Sequence, residues 1–522
     1  MVSLLSSNGA EPERRDRAMH DSALQWFDNR CRHTPDRIAA VDWHRQIRLT
    51  YRTLHRRAER LAAALQSWGI GLGDRVAVLL HNQTEMLEAV LGCGMIGAIA
   101  VPLNWRLSVA ELHGMMLDCE PKLMMYDAVE PEMARLATGL AAGLPRADSA
   151  LLPVAALDSS AGCPAVRRHH PAHGDAWMMI YTGGTTGKPK GVVLTHGSVY
   201  WNAVNTVVSW QLTAGDVTPT VLPMFHTGGL NALTMPVLMA GGTVVLVRSF
   251  QCEEMVRLLN EERCTIALMV PTMYHMLVHS SAFAEAEFPT MRSFLSGGAP
   301  CPLSVYQAFQ ARGLPFKEGY GATESGPNNF VIDPALAAQK PGSVGLPMMF
   351  SEAKLIPLQG DAAQPEPDQL GELALRGGHL FSHYWNNAEA TSAAWREGWY
   401  MTGDLASRDK DGYYYIVGRK KDMIITGGEN VYPLEVEQTL ESCPGVKEAA
   451  VVGLADEKWG EVVAAVVAVE EGAAVTEAGL AAFCSARIGK YKVPKRYLFV
   501  RELPTTAVGK LDKKRMREWF GG

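Results

Sequence analysis

The 522-residue chain has little of what marks several common protein classes. Its nine cysteines run from Cys31 to Cys484 without one Cys-x-x-Cys pair. That pattern fits reduced, mostly buried thiols in a cytoplasm far better than a disulfide framework or a zinc site. Basic charge is not in excess: 49 Lys plus Arg face 55 Asp plus Glu, a net charge of −6. This argues against nucleic acid as a partner. Met1 to His20 lacks the apolar run of a signal peptide, and no repeat of roughly 20–50 residues is visible. Low complexity is confined to the Ala/Gly-rich stretch Leu136 to Pro145. One uncharged stretch, Thr227 to Val247, has the length of a membrane span. It contains Asn231, Pro236 and Gly241-Gly242 ahead of the β-branched run Thr243-Val244-Val245, so a helix, a turn and a strand are expected. No transmembrane segment is expected; peripheral membrane contact and a homodimer both stay open.

What is present is ordinary globular composition, 47% hydrophobic and 20% charged. The length corresponds to roughly three or four domain-sized units and needs no disulfide or metal to fold. From Asp74 the chain alternates apolar strand and helix: Val76 to Leu80, Thr84 to Leu91 and Ala98 to Leu103, then Thr243 to Val247, Cys252 to Glu262 and Thr265 to Val270. The rhythm predicts an α/β fold of largely parallel sheets covered by helices. A boundary is expected near Gly418, after the turn Asp409-Lys410-Asp411-Gly412 and the strand Tyr413 to Val417. It divides residues 1–418, a large region of packed α/β subdomains, from a small mobile α+β domain at 419–522.

Ligands on such sheets bind in loops at strand ends, which directs attention to glycine-rich segments. Gly92-Cys93-Gly94-Met95-Ile96-Gly97 has the dinucleotide spacing G-x-G-x-x-G but follows a helix and precedes a strand, the reverse of the required order. Its glycines read as a helix terminator and a packing site. Thr182-Gly183-Gly184-Thr185-Thr186-Gly187-Lys188-Pro189-Lys190 lies between two strands, Trp177 to Tyr181 and Val192 to Thr195. Glycine backbone, threonine hydroxyls and lysines suit a polyphosphate. Thr182 and Pro189 break the Walker A pattern, so a phosphate loop of another type is expected.

This segment resembles the phosphate loop of the adenylate-forming superfamily, which includes acyl-CoA synthetases, adenylation domains and luciferases. Further motifs follow in family order. Leu222-Pro223-Met224-Phe225-His226 resembles the acyl-pocket motif and Ser296-Gly297-Gly298-Ala299-Pro300 the adenine-side loop. Gly319-Tyr320-Gly321-Ala322-Thr323-Glu324 resembles the nucleotide and magnesium motif, and Tyr400-Met401-Thr402-Gly403-Asp404 the ribose motif. Gly418-Arg419-Lys420-Lys421-Asp422 is similar to the hinge, Gly427-Gly428-Glu429-Asn430 to the loop after it, and Pro504 through Lys510 to the C-terminal lysine motif.

The resemblance implies ATP, Mg²⁺ and coenzyme A together with a small carboxylic acid. Thr182, Gly183, Gly184, Thr185, Thr186, Gly187, Lys188 and Lys190 would hold the β- and γ-phosphates. Gly298, Ala299, Pro300, Tyr320 and Gly321 would bound the adenine, and Asp404 would take the ribose hydroxyls with Arg419 nearby. Glu324 would bind Mg²⁺, Thr323 would donate to the α-phosphate, and Lys510 would act there as a mobile point charge. His226 would line or gate the acyl pocket. Lys421 would be the hinge, with Gly427 and Gly428 leaving room for a pantetheine arm. Taken singly, Glu324 and Lys510 would read as surface charges, Tyr320 as core and Asp404 as a turn residue; the ordered set points elsewhere.

The implied activity is that of an acyl-CoA synthetase, an acid–thiol ligase acting on a medium- or long-chain fatty acid. An arylacyl-CoA ligase, a carrier-protein loader and a luciferase-type oxygenase use the same adenylate and are the alternatives. Gly228, Gly229 and Gly298 hint at room for the acid. Gly183 stands where the family loop commonly has serine, and it removes one hydroxyl donor. Gly183→Ser is therefore expected to lower the KM for ATP severalfold in steady-state kinetics; an unchanged KM overturns this account of the loop.

Overall fold

A computed structural model describes residues 24–141, 143, 150–157, 165–183, 189–358, 365–506 and 511–521. The apolar runs after Asp74 form a seven-stranded sheet ordered His383–Tyr384, Lys190–Thr195, Ala176–Thr182, Ile99–Pro102, Arg75–Leu79, Leu123–Tyr126, Ala150–Pro153. From Ala176–Thr182 to Ala150–Pro153 neighbouring strands are parallel, while Lys190–Thr195 and His383–Tyr384 add antiparallel pairs at one edge. The inner strands are buried on both faces, which explains their unbroken apolar runs.

A second layer joins Val217–Thr220, Thr243–Leu246, Ile38–Asp42 and Ile47–Thr50, with the parallel trio Ile266–Met269, Ser293–Ser296 and Phe316–Glu318 beside it. Thr265 bridges the two groups by donating its N–H to the Val217 carbonyl at 2.9 Å. From Phe330 onward the rhythm changes. Another seven-stranded sheet, including Gly371–Gly377, Trp399–Arg408 and Tyr414–Arg419, is antiparallel in every pair. Here short turns replace helical crossovers, so the parallel expectation holds only for the earlier strands. A 3₁₀ turn at Lys420–Asp422 then leads to a five-stranded sheet from Ile424 to Val500, packed with the helices Pro433–Glu441, Glu477–Ser485 and Lys513–Trp519.

The uncharged stretch from Thr227 to Val247 resolves into helices Thr227–Leu230 and Thr234–Ala240, a left-handed Gly241 and the strand Thr243–Leu246. Among the described residues no helix is long and apolar enough to cross a membrane, and every described cysteine is a free thiol.

The glycines of the dinucleotide look-alike serve packing. Thr84–Ile96 is one helix, closed by Gly97 in the left-handed region. A Cβ on Gly92 would meet the Ala58 carbonyl oxygen at 3.0 Å, so this position lets two helices approach closely. A Cβ on Gly94 would lie 2.7 Å from the indole nitrogen of Trp177. That nitrogen donates to the Val90 carbonyl at 2.8 Å, and the buried indole stacks on His196 with ring centres 4.6 Å apart. Gly94→Ala is expected to destabilise the fold by about 1–3 kcal/mol through overpacking. The measurement is the denaturant midpoint of the intact chain, and an unshifted midpoint contradicts the packing role.

Candidate active site

The adjacent strands Ala176–Thr182 and Lys190–Thr195 of the first sheet form the hairpin that carries the phosphate-loop segment. Thr182 and Lys190 are Cα partners in its ladder and close the loop at its base. Gly183 is exposed, and a Cβ there would meet nothing within 4 Å, so the backbone has room for the serine tested above. Gly184, Thr185, Thr186, Gly187 and Lys188 lie outside the described residues, as does Lys510. Lys190 sets its ammonium 4.9 Å above the ring of Tyr384. The Tyr384 hydroxyl donates to Glu324 Oε1 at 2.9 Å, which ties the hairpin to the candidate magnesium carboxylate. Burial, then the charge of Glu324, pushes the Tyr384 hydroxyl pKa up, so it stays a donor.

The second sheet delivers Tyr320 two residues beyond the strand Phe316–Glu318, and the antiparallel sheet delivers Asp404 and Arg419 from neighbouring strands. They meet in one cluster. The Tyr320 hydroxyl donates to Asp404 Oδ2, and Arg419 Nε lies 2.7 Å from Asp404 Oδ1. Asp404 is only 5% exposed, and its own N–H donates to Thr402 Oγ1 at 3.0 Å. Burial opposes the charge on Arg419, but Asp404, Tyr320, Tyr400 and Glu324 together outweigh it and raise the guanidinium pKa. Thr323 is buried next to Glu324.

Beside this cluster opens a cavity of about 870 Å³. His226, Gly298, Ala299, Pro300 and Gly321 all line it, together with apolar residues including Leu222, Phe225 and Val270. His226 also caps the helix Thr227–Leu230, its Nδ1 accepting the Gly228 N–H at 3.1 Å. Gly298 takes a φ of 90°, and Gly321 passes so close to Pro327 that a Cβ would sit 2.2 Å from its carbonyl oxygen. Gly228 lines the cavity, but Gly229 corrects its reading as open room. A Cβ at Gly229 would meet the Leu222 and Pro223 carbonyl oxygens at 2.3 Å, so this glycine serves backbone packing.

Residues beyond Lys420 complete the wall: Pro444 to Ala449, Leu503, Thr505 and Leu511 face the same cavity. Gly427 and Gly428 do not. They form a tight turn in which a Cβ on Gly427 would lie 2.9 Å from the Trp459 ring, and exposed Lys421 is likewise away from the lining. Burial lowers the Lys421 pKa, with Arg419 and Arg517 adding to the effect.

Sequence reasoning missed Tyr384 as a contact of Glu324, and it missed the polar residues beneath the nucleotide loops. Glu318 immediately precedes Gly319 and is buried, accepting the Tyr306 hydroxyl at 2.7 Å and the Cys301 N–H at 2.9 Å. It thereby braces the adenine-side loop against the Tyr320 motif. Its neighbour Lys317 points the other way, onto the Trp210 ring at 4.7 Å. Burial lifts the Glu318 carboxyl to about 7 and brings the Lys317 ammonium down to about 8. No periodicity signals a buried Lys-Glu pair in a three-residue strand.

Residues 27–385 match the family model described as AMP-binding enzyme, and residues 435–510 that of the AMP-binding enzyme C-terminal domain. The chain belongs to the AMP-binding enzyme family. A feruloyl-CoA synthase from an Amycolatopsis species is 39% identical over 497 residues, 95% of this chain and 98% of the relative. Long-chain-fatty-acid–CoA ligase FadD13 of Mycobacterium tuberculosis is 35% identical over 493 residues, covering 93% and 96%. The solved o-succinylbenzoate coenzyme A synthetase of Bacillus subtilis in complex with ATP and magnesium superposes with a TM-score of 0.83 at 30% identity, over 94% of this chain and 99% of that one. Within the family this chain is an AMP-forming acid–thiol ligase, with ATP and CoA as co-substrates.

The raised Glu318 pKa carries a sign that can be checked. Below the ordinary carboxyl value of 4.5 the residue is protonated in both folded and unfolded chains. Between 4.5 and about 7 the unfolded chain ionises first, so stability falls as pH rises. At ~1.4 kcal/mol per pH unit, the loss totals about 3 kcal/mol and is complete above pH 7. Glu318→Gln removes this term. Its stability relative to the parent is expected to improve from pH 5 to pH 8 in denaturant unfolding, and a pH-independent difference refutes the assignment.

Proposed function

We propose that this ligase activates an aromatic carboxylic acid. The observation that carries the reading is the cavity wall. Leu222, Phe225 and Val270 offer apolar surface that includes one aromatic ring, yet His226, Thr272 and Asn328 interrupt it with polar groups. A long alkyl chain offers these polar side chains no hydrogen bond, whereas a substituted aromatic acid can offer one. The 39% identity to a feruloyl-CoA synthase supports the same reading. A medium- or long-chain fatty acid is the second reading, and the likeness to FadD13 favours it.

In this reading a carboxylate oxygen of the acid attacks the α-phosphorus of ATP, pyrophosphate leaves, and acyl-AMP forms. The CoA thiolate then attacks the acyl carbon and AMP departs. A carboxylate resists nucleophiles, and AMP supplies the leaving group it lacks. Thr182, Gly183, Lys190 and the loop between them would hold the β- and γ-phosphates. Asp404, held by Tyr320 and Arg419, would take the ribose hydroxyls. Gly298, Ala299 and Pro300 would bound the adenine. Thr323 would donate to the α-phosphate, where Lys510 stabilises the growing charge.

For magnesium, Glu324 has a carboxylate oxygen left over once Oε1 has taken the Tyr384 proton. No group of three or more candidate metal ligands exists among the described residues. A single carboxylate fits an ion that keeps its remaining bonds for phosphates and water. Mg²⁺ there would neutralise phosphate charge. Residues 419–522 would act as a lid hinged near Lys421. In this structure the side bearing Thr505 and Leu511 faces the cavity, and turning Gly427-Gly428 inward would admit the pantetheine arm for the thioester step.

The deciding experiment measures pyrophosphate release and thioester formation over a panel of cinnamic, benzoic, arylacetic and C6–C18 alkanoic acids, with and without CoA. CoA-dependent thioester with AMP is expected for aromatic acids, at a kcat/KM at least about tenfold above any alkanoate. An alkanoate as the best substrate overturns the aromatic reading in favour of the second. Oxygen-dependent light or CO₂ release would point to the oxygenase alternative.

A further inference from the structure

Asn328 follows Gly326-Pro327 on the cavity wall and is 4% exposed. Both protons of its amide nitrogen are already used. Nδ2 lies 2.7 Å from the Ala232 carbonyl oxygen and 2.9 Å from Thr206 Oγ1. The orientation of the amide is set by these partners. The Ala232 carbonyl can only accept. The Thr206 hydroxyl spends its proton on the Asn202 carbonyl at 2.7 Å and therefore also accepts from Asn328. The nitrogen must face this pair, which leaves the amide oxygen, an acceptor that meets no donor among the described residues.

The surroundings make that oxygen conspicuous. Ala232, Gly228, Phe225 and Leu222 line the same cavity and bring no side-chain donor. Thr227 is on the wall as well, with its Oγ1 3.2 Å from Asn231 Nδ2. A rigid acceptor in an apolar pocket penalises any ligand that buries it without a hydrogen bond and rewards one that brings a donor. Recognition of this kind discriminates far more sharply than the fit of a methylene group.

We propose that Asn328 is a specificity-determining residue, and that the preferred acid carries a hydroxyl or ring N–H on its acyl part that donates to the Asn328 amide oxygen. The inference rests on the aromatic reading above and narrows it to donor-bearing aromatic acids such as phenolic or indolic ones. Acids that carry only acceptors, such as methoxy groups, meet Asn328 with lone pair against lone pair and are disfavoured.

The test compares acids matched in shape. One series is 4-hydroxycinnamate, 4-methoxycinnamate and cinnamate; a second pairs indole-3-acetate with benzothiophene-3-acetate, in which sulfur replaces the N–H. Pyrophosphate release and CoA-thioester formation are followed for the full-length enzyme and for Asn328→Val, and ATP affinity is measured by calorimetry. In at least one series the donor-bearing acid is expected to exceed its donor-free analogue by about 10- to 100-fold in kcat/KM. Asn328→Val should collapse that ratio to within about threefold while ATP affinity stays the same.

Turnover of aromatic acids with no donor preference overturns the proposal and leaves the aromatic reading standing. A preference that survives in Asn328→Val also overturns it, since another group must then be the acceptor. Failure of every aromatic acid removes the aromatic reading and the proposal together. Should Asn328→Val fail to bind ATP, the hydroxy, methoxy and unsubstituted series on the parent enzyme decides the matter alone.

Discussion

The site depends on one buried carboxylate. Asp404 comes from the antiparallel sheet, its Tyr320 partner from the loop after the second layer, and its Arg419 partner from the strand that leads to the C-terminal residues. A carboxylate so enclosed depends on donors that face it, because desolvation otherwise outweighs its interactions. The three segments are thus held in one arrangement by electrostatics as much as by apolar packing.

A second electrostatic feature lies just below. Lys317 and Glu318 are adjacent in a three-residue strand and point to opposite faces, one to an indole and the other to a phenol and a backbone amide. Burial displaces each toward its neutral form, though at about 8 Lys317 still carries its proton at neutral pH. Glu318 positions its loop through the two donors it accepts from.

How much of this could be read from the sequence depended on the range of the interaction. The strands Arg75–Leu79, Ile99–Pro102, Thr243–Leu246 and Ile266–Met269 were legible because runs buried on both faces are continuous in sequence, whereas Leu123–Tyr126, Ala150–Pro153 and Val217–Thr220 were not singled out. The Gly92–Gly97 segment was legible as packing because the order of helix and strand around it was wrong for a nucleotide fingerprint. Tyr320, Asp404 and Arg419 were found through ordered motifs, yet their mutual contact, across 84 residues between Tyr320 and Asp404, leaves no local trace. The antiparallel sheet after Phe330 escaped the β-α-β rhythm, since hairpins carry no helical period. Gly229 misled for a related reason: glycine marks close approach, and only coordinates tell whether a ligand or a carbonyl does the approaching. Asn328 was invisible because its meaning lies in Thr206 and Ala232, which exhaust its donors.

The cavity is not the property of one folding unit. Leu222, Phe225 and Val270 supply one jaw, while Pro444 to Ala449, Thr505 and Leu511 supply the other from beyond the 3₁₀ turn at Lys420. In the proposed reading the acid would be gauged as in a caliper, by two surfaces joined through that turn. An oversized acid would then be refused without any clash against the nucleotide-binding body, simply by keeping the second jaw from seating. Substitutions among residues 444–449 would retune selectivity while sparing the groups proposed for adenylation.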